Sequence, residues 1–559
     1  MAHAERRITI WTLIALAIGV LFFWASAPPA PVRLDVTAWD DLAARTVAGA
    51  FHIHTTRSDG HGDRARIAAA AARAGLKFVI LTDHGDGTRP PDPPVYIDGV
   101  LVLDAVEIST EEGHYVALDM TRAPYPLGGF GEAVVEDVRR LGGFGVIAHP
   151  DSPKPTLRWT SHARPDGVEW MNLDSEWRDE TRAQLLRAGA GYLLHRGAAL
   201  TAILDRPTTL DARWPALLAE GTSVGLAAAD AHGGAGRRDE DPGRSLAGTI
   251  GIPSYESSFG AFSNSVILPK PLTGDAASDA RAVYASIRGG RVFSTVDGLA
   301  GPGLLHFSAE AGLRQSDMGA VLPGDFDGAL VVRTPAPAGS EIFILRNGRV
   351  VVSTRGPELR HTLTGATGAY RAEVRLPGSP GVPPVPWIVS NPIYFGVGAG
   401  KAPVADPVES GPLEGTIAPF PWSIEKDPSS SAMLRTGATE ASLEFKLGEG
   451  ERRSQFVALA TDLQPGPLSA IQLSLAGDRP MRVWVQLRAQ DGTRWGKSYY
   501  VDPAGTAILA PVSSLGPLGP PAGNATIGDA RSLLIVVDLA NAQPGRTGVL
   551  RVRASALLR

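Results

Sequence analysis

The segment His52-Ile53-His54 contains the first residues whose spacing could do chemistry. Both histidines close a predicted strand. Side chains two positions apart in a strand lie on one face, so the imidazoles are expected to converge on one point while Phe51 and Ile53 pack on the apolar side. Asp59 follows five residues later in a turn-like loop. This pattern alone fits either a pair of metal ligands or two polar residues at a strand edge.

Ionisable side chains also lie at the ends of most of the other predicted strands. In α/β barrels the carboxyl ends of the strands form the active site. Imidazole and carboxylate groups are the ligands that suit Zn²⁺, Mn²⁺ or Fe²⁺. Ionisable groups buried at several strand ends are costly unless they are paired or bind metal, so this pattern predicts a metal centre. The side chains are those of Asp83, His84, Glu107, His114 (which begins its strand), His149, Asp230 and His232.

The elements that must position these side chains alternate between strands and helices. Predicted helices at 67–74, 132–141 and 210–220 separate several of the strands, which predicts a parallel α/β sheet or barrel over residues 31–298. Asn347-Gly348 between two apolar runs indicates a hairpin, and 299–398 is predicted to be a β-sandwich. A linker at 399–420 precedes a second β-sandwich at 421–559. The predicted strands of the first block are 48–54, 77–82, 100–107, 114–119, 144–149, 167–171 and 223–229.

Composition excludes several classes of protein. The chain of 559 residues has no cysteine, which excludes disulfides, cysteine nucleophiles and iron–sulfur clusters. Its net charge is −5 and no basic stripe is evident, so a nucleic-acid-binding patch is not expected.

The N-terminus has the pattern of a membrane-targeting segment. Arg6 and Arg7 precede an uncharged run over 8–24, and small residues at 25–27 offer a cleavage site. Residues 1–30 are therefore predicted to be a signal peptide or, if uncleaved, a membrane anchor with its basic end inside. In both cases the protein is expected to be exported, either periplasmic or extracellular, or anchored and facing outward.

As a set, five motifs resemble the PHP (polymerase and histidinol phosphatase) superfamily. They are Gly49–Thr55 with Ser58-Asp59-Gly60, Leu81–His84, Glu107–Ser109, Ala148–Pro150 and Ala229–His232. The resemblance implies a distorted (βα)7 barrel with two or three divalent ions (Zn, Mn or Fe) and Glu107 as a bridging carboxylate. Many relatives have Asp where this chain has Gly85. The residues that match the ligand positions of the family are His52, His54, Asp59, His84, Glu107, His114, His149, Asp230 and His232.

Softer motifs at 167–172, 287–293 and 387–394 resemble the carbaryl-hydrolase-like (CehA/McbA) metallohydrolases. This similarity implies that 299–398 is an Ig-like companion domain, and the last block looks like a jelly roll of the galactose-binding type. The expected architecture is an α/β barrel followed by two all-β sandwich domains.

The roles of several polar residues follow from these expectations. Glu107 and Asp230 are assigned to catalysis, where they would fix the spacing of the ions around a bridging hydroxide nucleophile. Asp83 could orient an imidazole or cap the following helix, and the cap is favoured. Glu169 could support a ligand or form an ion pair at the rim. The cations that follow ligand-bearing strands and could bind a substrate anion are Lys154, Arg158 and Arg237.

Three functions remain open at this point. The first is a metal-dependent phosphoesterase acting on a small-molecule or phosphoester substrate. The second is a hydrolase of a carbamate, ester or amide, and the third and least favoured is a non-catalytic surface binding protein. In the last block, Trp484 is expected to point outward, where it could stack on a carbohydrate or contact a neighbouring domain; contact with the domain is favoured.

Overall fold

The computed structural model describes residues 11–14, 16–22, 28–192, 195–234, 253–397, 420–437, 439–450, 454–464 and 466–559. They fall into two compact units. The first contains the chain up to His84 together with Pro91–Met120 and Gly142–Lys401, and the second contains Gly85–Pro90, Thr121–Leu141 and Ala402–Arg559. The predicted cleavage site at 25–27, Arg237 and nearly all of the predicted linker lie outside the described residues. No helix in the described ranges is long and apolar enough to cross a membrane.

Ten α-helices are described in chain order. Two of them have an aspartate N-cap: the carboxylates of Asp63 and Asp275 accept hydrogen bonds from backbone N–H groups in the first turns of the helices that follow them. The helices are α1 (Asp40–Arg45), α2 (Arg64–Arg73), α3 (Gly131–Arg140), α4 (Leu173–Asp179), α5 (Arg182–Tyr192), α6 (Arg196–Thr201), α7 (Thr208–Asp211), α8 (Arg213–Glu220), α9 (Tyr255–Phe259) and α10 (Ala276–Arg288).

The strands of the first unit are short and mostly buried, as expected for strands that are covered on both faces. They are β1 (Val32–Arg33), β2 (Thr46–Phe51), β3 (Phe78–Leu81), β4 (Val95–Ile97), β5 (Val100–Asp104), β6 (Val106–Thr110), β7 (Gly113–Leu118), β8 (Phe144–Ile147), β9 (Gly167–Asn172), β10 (Val224–Ala228), β11 (Ser263–Ile267), β12 (Val292–Thr295), β13 (Ala300–Gly301), β14 (His306–Ala311), β15 (Arg314–Asp317), β16 (Val321–Leu322), β17 (Asp327–Arg333), β18 (Glu341–Arg346), β19 (Arg349–Arg355), β20 (Glu358–Thr364), β21 (Gly368–Arg375), β22 (Ile388–Ser390) and β23 (Ile393–Phe395).

Two mixed sheets carry the strand ends that matter for the site. One has the order β10-β9-β8-β7-β6, with β8, β9 and β10 parallel. The other is twelve-stranded, and β2, β3 and β5 run parallel within it. Isolated bridges join Ile53 to Ala231 and His84 to Glu107 across the two sheets. The α/β class is confirmed. The described ladders do not close into one barrel, so the seven-stranded barrel stays a prediction.

The block at 299–398 shares a sheet with the residues before it. β22 pairs with β12, which continues the sheet of β2 and β3. The side-chain amide of buried Asn391 donates to the carbonyl of Gly225 at 2.9 Å and accepts from the Gly225 N–H at 2.8 Å. These two hydrogen bonds attach Asn391 to β10. This block is therefore all-β, but it lies in the same compact unit as the α/β part and helps to hold the strand that leads to Asp230.

The second unit has two antiparallel sheets with an apolar core between them. Its strands are β24 (Ser423–Lys426), β25 (Ser431–Thr436), β26 (Ala441–Lys446), β27 (Phe456–Asp462), β28 (Ala470–Gly477), β29 (Met481–Ala489), β30 (Arg494–Val501), β31 (Thr506–Pro511), β32 (Gly516–Pro517), β33 (Ala530–Asp538) and β34 (Thr547–Leu558). The sheet orders are β24-β27-β33-β29-β30-β32 and β25-β26-β34-β28-β31. The alternating residues Val483, Val485 and Leu487 of β29 belong to the core, as predicted. The predicted β-sandwich is confirmed for this region.

The outer face of β29 packs against residues 121–141 of the same unit. The ring of Trp484 lies 5.4 Å from the ring of Phe130, and the residue is only 4% exposed. Arg482 is buried and donates to Asp137 at 2.7 Å and to Glu136 at 2.8 Å. The favoured interpretation of Trp484, contact with residues outside its own predicted block, therefore agrees with the structure, and the alternative of an exposed sugar-stacking residue is wrong. The alternating pattern of β29 predicts which residues face outward, but it does not show what covers them.

We expect Arg482→Met to lower the free energy of unfolding of the second unit by about 3 kcal/mol, because the buried Asp137 carboxylate loses its buried cation and keeps only the Tyr125 hydroxyl and the more distant Arg140. Urea denaturation followed by tryptophan fluorescence measures this. Arg435→Met is the matched control, since Arg435 pairs with Glu444 at the surface and its loss should change stability by less than about 1 kcal/mol. Equal effects of the two substitutions would show that the buried pair contributes nothing special.

Candidate metal centre

The two histidines of the first strand converge, but not by simple alternation. β2 ends at Phe51, and His52 has a left-handed backbone with φ of 65°. This bend sends Phe51 and Ile53 into two different apolar clusters rather than onto one face. The Nε2 atoms of His52 and His54 still lie 3.1 Å apart, and both residues are buried. The predicted convergence is therefore present and depends on a bend that the sequence pattern does not show.

Asp83 holds the loop that carries Asp59. Its Oδ1 accepts hydrogen bonds from the Thr55 N–H at 2.8 Å and from the Ser58 hydroxyl at 2.7 Å. No helix begins in the residues that follow β3 before β4, so the predicted helix cap is wrong. The carboxylate instead accepts hydrogen bonds that the loop would otherwise make to water. These hydrogen bonds order the loop and place Asp59 beside the histidines.

The remaining predicted ligands come from the ends of other strands and reach the same place. Glu107 lies in β6, His114 in β7, His149 just after β8, and Asp230 and His232 just after β10. A hydrogen bond from His149 Nδ1 to the Leu157 carbonyl and one from His232 Nδ1 to the Asp230 carbonyl assign a tautomer to each ring and leave both Nε2 atoms as lone-pair donors. The structure brings all nine predicted ligands into overlapping groups that could hold metal ions.

Four ligand atoms form the most complete set, here called set one: His52 Nε2, His54 Nε2, Glu107 Oε2 and Asp230 Oδ1. The two imidazole nitrogens lie 3.3 Å from Glu107 Oε2, and Asp230 Oδ1 lies 3.5 Å from His52 Nε2 and 3.3 Å from His54 Nε2. Ligand atoms about 2.0 Å from a tetrahedral ion lie about 3.3 Å from one another. The donor types suit a divalent ion, and the distances from the two imidazole nitrogens to each other and to each carboxylate oxygen fit one.

Two further sets adjoin set one. Set two comprises Glu107 Oε1, His114 Nδ1 at 2.7 Å and His149 Nε2 at 2.9 Å from that oxygen. Set three comprises Asp59 Oδ2 with His84 Nε2 and His232 Nε2, each at 3.4 Å. Glu107 thus presents one carboxylate oxygen to set one and the other to set two, which is the arrangement of a bridging carboxylate.

Electrostatics favour ionised carboxylates in this cluster. Burial opposes ionisation, but His52 above all holds the pKa values of Glu107 and Asp230 well below their usual ranges. Burial and the neighbouring His232 lower the pKa of His54 to about 4. Near neutral pH the carboxylates are therefore charged and His54 is neutral, as metal ligation requires.

The same electrostatics do not favour neutral rings throughout the cluster. Despite burial, the neighbouring carboxylates raise the pKa values of His52 and His149, and Asp59 and Asp230 raise the pKa of His232 to about 9. Metal binding at these rings therefore displaces protons.

Of the three cations predicted to bind a substrate anion, the two that the structure describes, Lys154 and Arg158, are not part of these sets. Arg158 donates through Nε and Nη2 to the Ser152 carbonyl at 3.3 and 3.1 Å. Lys154 belongs to the same loop and is half-buried. Arg237 lies outside the described residues. A role in substrate binding stays a prediction for all three.

A cavity of about 110 Å³ opens beside Asp230 and His232. Its wall includes the apolar side chains of Leu173, Trp177 and Leu200. Arg178 also lines it and is paired with Asp174 at 2.5 Å. This is the space in which the non-reacting part of a substrate could lie against set one. The tryptophans at 159 and 170, which lie nearby in the sequence, are buried core residues instead.

No protein-family model matches this chain, and no curated protein matches it. Similar solved structures include the family 11 carbohydrate-binding module of the cellulosomal cellulase Lic26A-Cel5E of Clostridium thermocellum, which is 14% identical, with 26% of this chain and 90% of that chain covered and a TM-score of 0.20. TmCBM61 in complex with beta-1,4-galactotriose is 9% identical, with 25% and 88% covered and a TM-score of 0.17. These likenesses are too low to assign a ligand or an activity.

We expect Glu107→Gln to reduce the divalent metal bound per chain more than Asp59→Asn does. Glu107 serves two ligand sets and Asp59 serves one, and a neutral amide is a weaker ligand than a carboxylate. Inductively coupled plasma mass spectrometry after dialysis measures the metal, with Glu444→Gln at the surface as the control. Wild-type metal content in Glu107→Gln would contradict the bridging assignment.

Proposed function

We propose that the chain is an exported metal-dependent hydrolase of the PHP type, and that it acts as a phosphoesterase. The observation that carries this proposal is the pair of ligand sets that share the Glu107 carboxylate, one oxygen in each set. A single structural ion needs no carboxylate shared between two sets, whereas hydrolysis of phosphoesters is well served by two neighbouring ions.

The residues have distinct tasks in this proposal. Divalent ions bound at these sets would lower the pKa of a bound water and polarise the oxygen under attack. Glu107 fixes the distance between sets one and two and, with Asp230, lowers the net charge of the site. His54 supplies a neutral imidazole. Asp83 keeps the Asp59 loop in place, so that set three stays closed around its carboxylate.

A second candidate, a hydrolase of carbamates, esters or amides, is favoured by the cavity beside Asp230. Its wall is mostly apolar, and Arg178, the one arginine among the described residues that line it, is paired with Asp174. A neutral substrate with an apolar group would fit this wall without leaving a charge unpaired. The same ligand sets would serve both reactions, so the two candidates differ in the substrate and not in the metal centre.

Two further parts of the proposal rest on sequence. Export rests on the basic start, the uncharged run over 8–24 and the small residues at 25–27. A carbohydrate contact by the C-terminal sandwich is retained only for surfaces other than the one around Trp484, which residues 121–141 cover.

The test combines metal analysis with two substrates. We expect purified protein to bind two or more divalent ions per chain and to hydrolyse bis-p-nitrophenyl phosphate. His52→Ala/His54→Ala should lose metal and nearly all turnover. His162→Ala/His361→Ala is the matched control, because it also removes two histidines but neither belongs to a ligand set.

The outcomes separate the three hypotheses. Turnover of a p-nitrophenyl ester without phosphodiester turnover would favour the second candidate. Folded protein that binds no metal and turns over neither substrate would exclude both hydrolases and leave a non-catalytic binding protein.

A further inference from the structure

Glu169 is a buried carboxylate for which no lysine or arginine partner is found in the described part of the chain. It lies in β9, between β8 and β10 in the five-stranded sheet. Its side chain has no exposure to solvent. A buried carboxylate in this situation is strongly destabilising unless other groups donate hydrogen bonds to it. The identity of its donors therefore indicates what it is for.

Each group that donates a hydrogen bond to Glu169 either belongs to a predicted metal ligand or contacts one. Its Oε1 lies 2.6 Å from Nδ1 of His52. Its Oε2 accepts from the backbone N–H of His149 at 2.6 Å and from the amide of Asn172 at 2.8 Å. The same Asn172 nitrogen lies 3.2 Å from Oδ2 of Asp230, so its second hydrogen reaches that carboxylate. Glu169 and Asn172, here called the positioning pair, thus contact three of the nine predicted ligands.

These three ligands share an uncommon backbone conformation. His52, His149 and Asp230 have φ values of 65°, 31° and 41°, and none of the other predicted ligands has a positive φ. Residues other than glycine adopt this region only when surrounding contacts hold them there. The positioning pair supplies such a contact to each of the three, either through the side chain or through the backbone N–H.

The pair also determines which nitrogen of His52 faces the metal set. A carboxylate can only accept, so the proton of neutral His52 lies on Nδ1 and the lone pair lies on Nε2, toward Glu107 and Asp230. A neutral amide at position 169 keeps the shape, but its NH₂ group would compete for the same place. If the NH₂ faces Nδ1, the proton moves to Nε2 and blocks ligation.

We propose that Glu169 and Asn172 are positioning residues that set the metal affinity of the sites to which His52, His149 and Asp230 contribute, three residues that together could hold an ion. This inference rests on the proposed metal centre and adds to it the residues that keep its strained ligands in place. A different carboxylate, that of Asp83, supports set three by holding the loop that carries Asp59.

The experiment measures Mn²⁺ affinity of the full chain by competition with a chelator, without reference to activity. We expect Glu169→Gln to weaken the tightest binding about 10- to 100-fold, as the loss of such supporting groups does in known metal sites. Asn172→Ser should weaken it by a smaller factor, since serine can still cap α4, as Asn172 does by accepting from the Ser175 N–H. Circular dichroism of the metal-free variants checks folding.

A double-mutant cycle locates the effect. In a His52→Ala background, Glu169→Gln should cost little further affinity, because the ring that it orients is gone. In a His84→Ala background it should retain most of its effect, because the three ligands that the pair contacts are all still present. Asp83→Asn is the matched control: it removes a buried carboxylate that supports set three, and its effect should survive His52→Ala and vanish in His84→Ala.

The failures are distinguishable. If the wild-type chain binds no Mn²⁺, the proposed function fails. If the wild type binds Mn²⁺ and Glu169→Gln binds it equally well, only the positioning role is overturned, even if the variant unfolds at a lower temperature. If Glu169→Gln does not fold, unchanged affinity in Asn172→Ser overturns the role on its own.

Discussion

Gathering three carboxylates and six imidazoles at buried strand ends is the constraint on which the first unit depends. Each ionised group loses hydration there, a penalty of several kcal/mol per ion unless a partner compensates it. The partners in this cluster are chiefly one another: Glu107 lies within 3.3 Å of nitrogen atoms from five histidines. Divalent ions would supply the positive charge that this spacing and these donor types are suited to hold.

The ligands come from the ends of strands in two sheets, and the backbone bends at three of these ligands. Bridges from Ile53 to Ala231 and from His84 to Glu107 join the sheets at the ligands themselves. Positive φ values at three ligands are the local cost, of the order of 1–3 kcal/mol each. Residues far along the chain contribute, because Asn391 fixes Gly225 in the strand that leads to Asp230.

Much of the candidate site could be predicted because its information is local. A histidine pair at spacing two and acidic or imidazole residues at successive strand ends indicate a metal centre. The resemblance to the PHP superfamily then implies which nine side chains are its ligands, including Asp59 in its loop. The α/β class and the last β-sandwich follow in the same way from periodicity, as Val483, Val485 and Leu487 show.

The rest is set by contacts between residues distant in sequence, which no local pattern encodes. Asp83 resembles a helix cap, but its donors come from a loop 25 to 28 residues earlier. Trp484 alternates outward like an exposed residue, yet Phe130 covers it from a segment more than 300 residues away. Glu169 could be singled out as polar and buried, but only the structure shows that it reaches His52, His149 and, through Asn172, Asp230.

The most direct test of the central claim is anomalous diffraction from crystals of the full chain grown with Mn²⁺. We expect separate anomalous peaks within set one, between His52, His54, Glu107 and Asp230, and within set two, between Glu107, His114 and His149. Ordered crystals with the nine side chains placed as described, but with no anomalous peak among them at saturating Mn²⁺, would contradict the central claim.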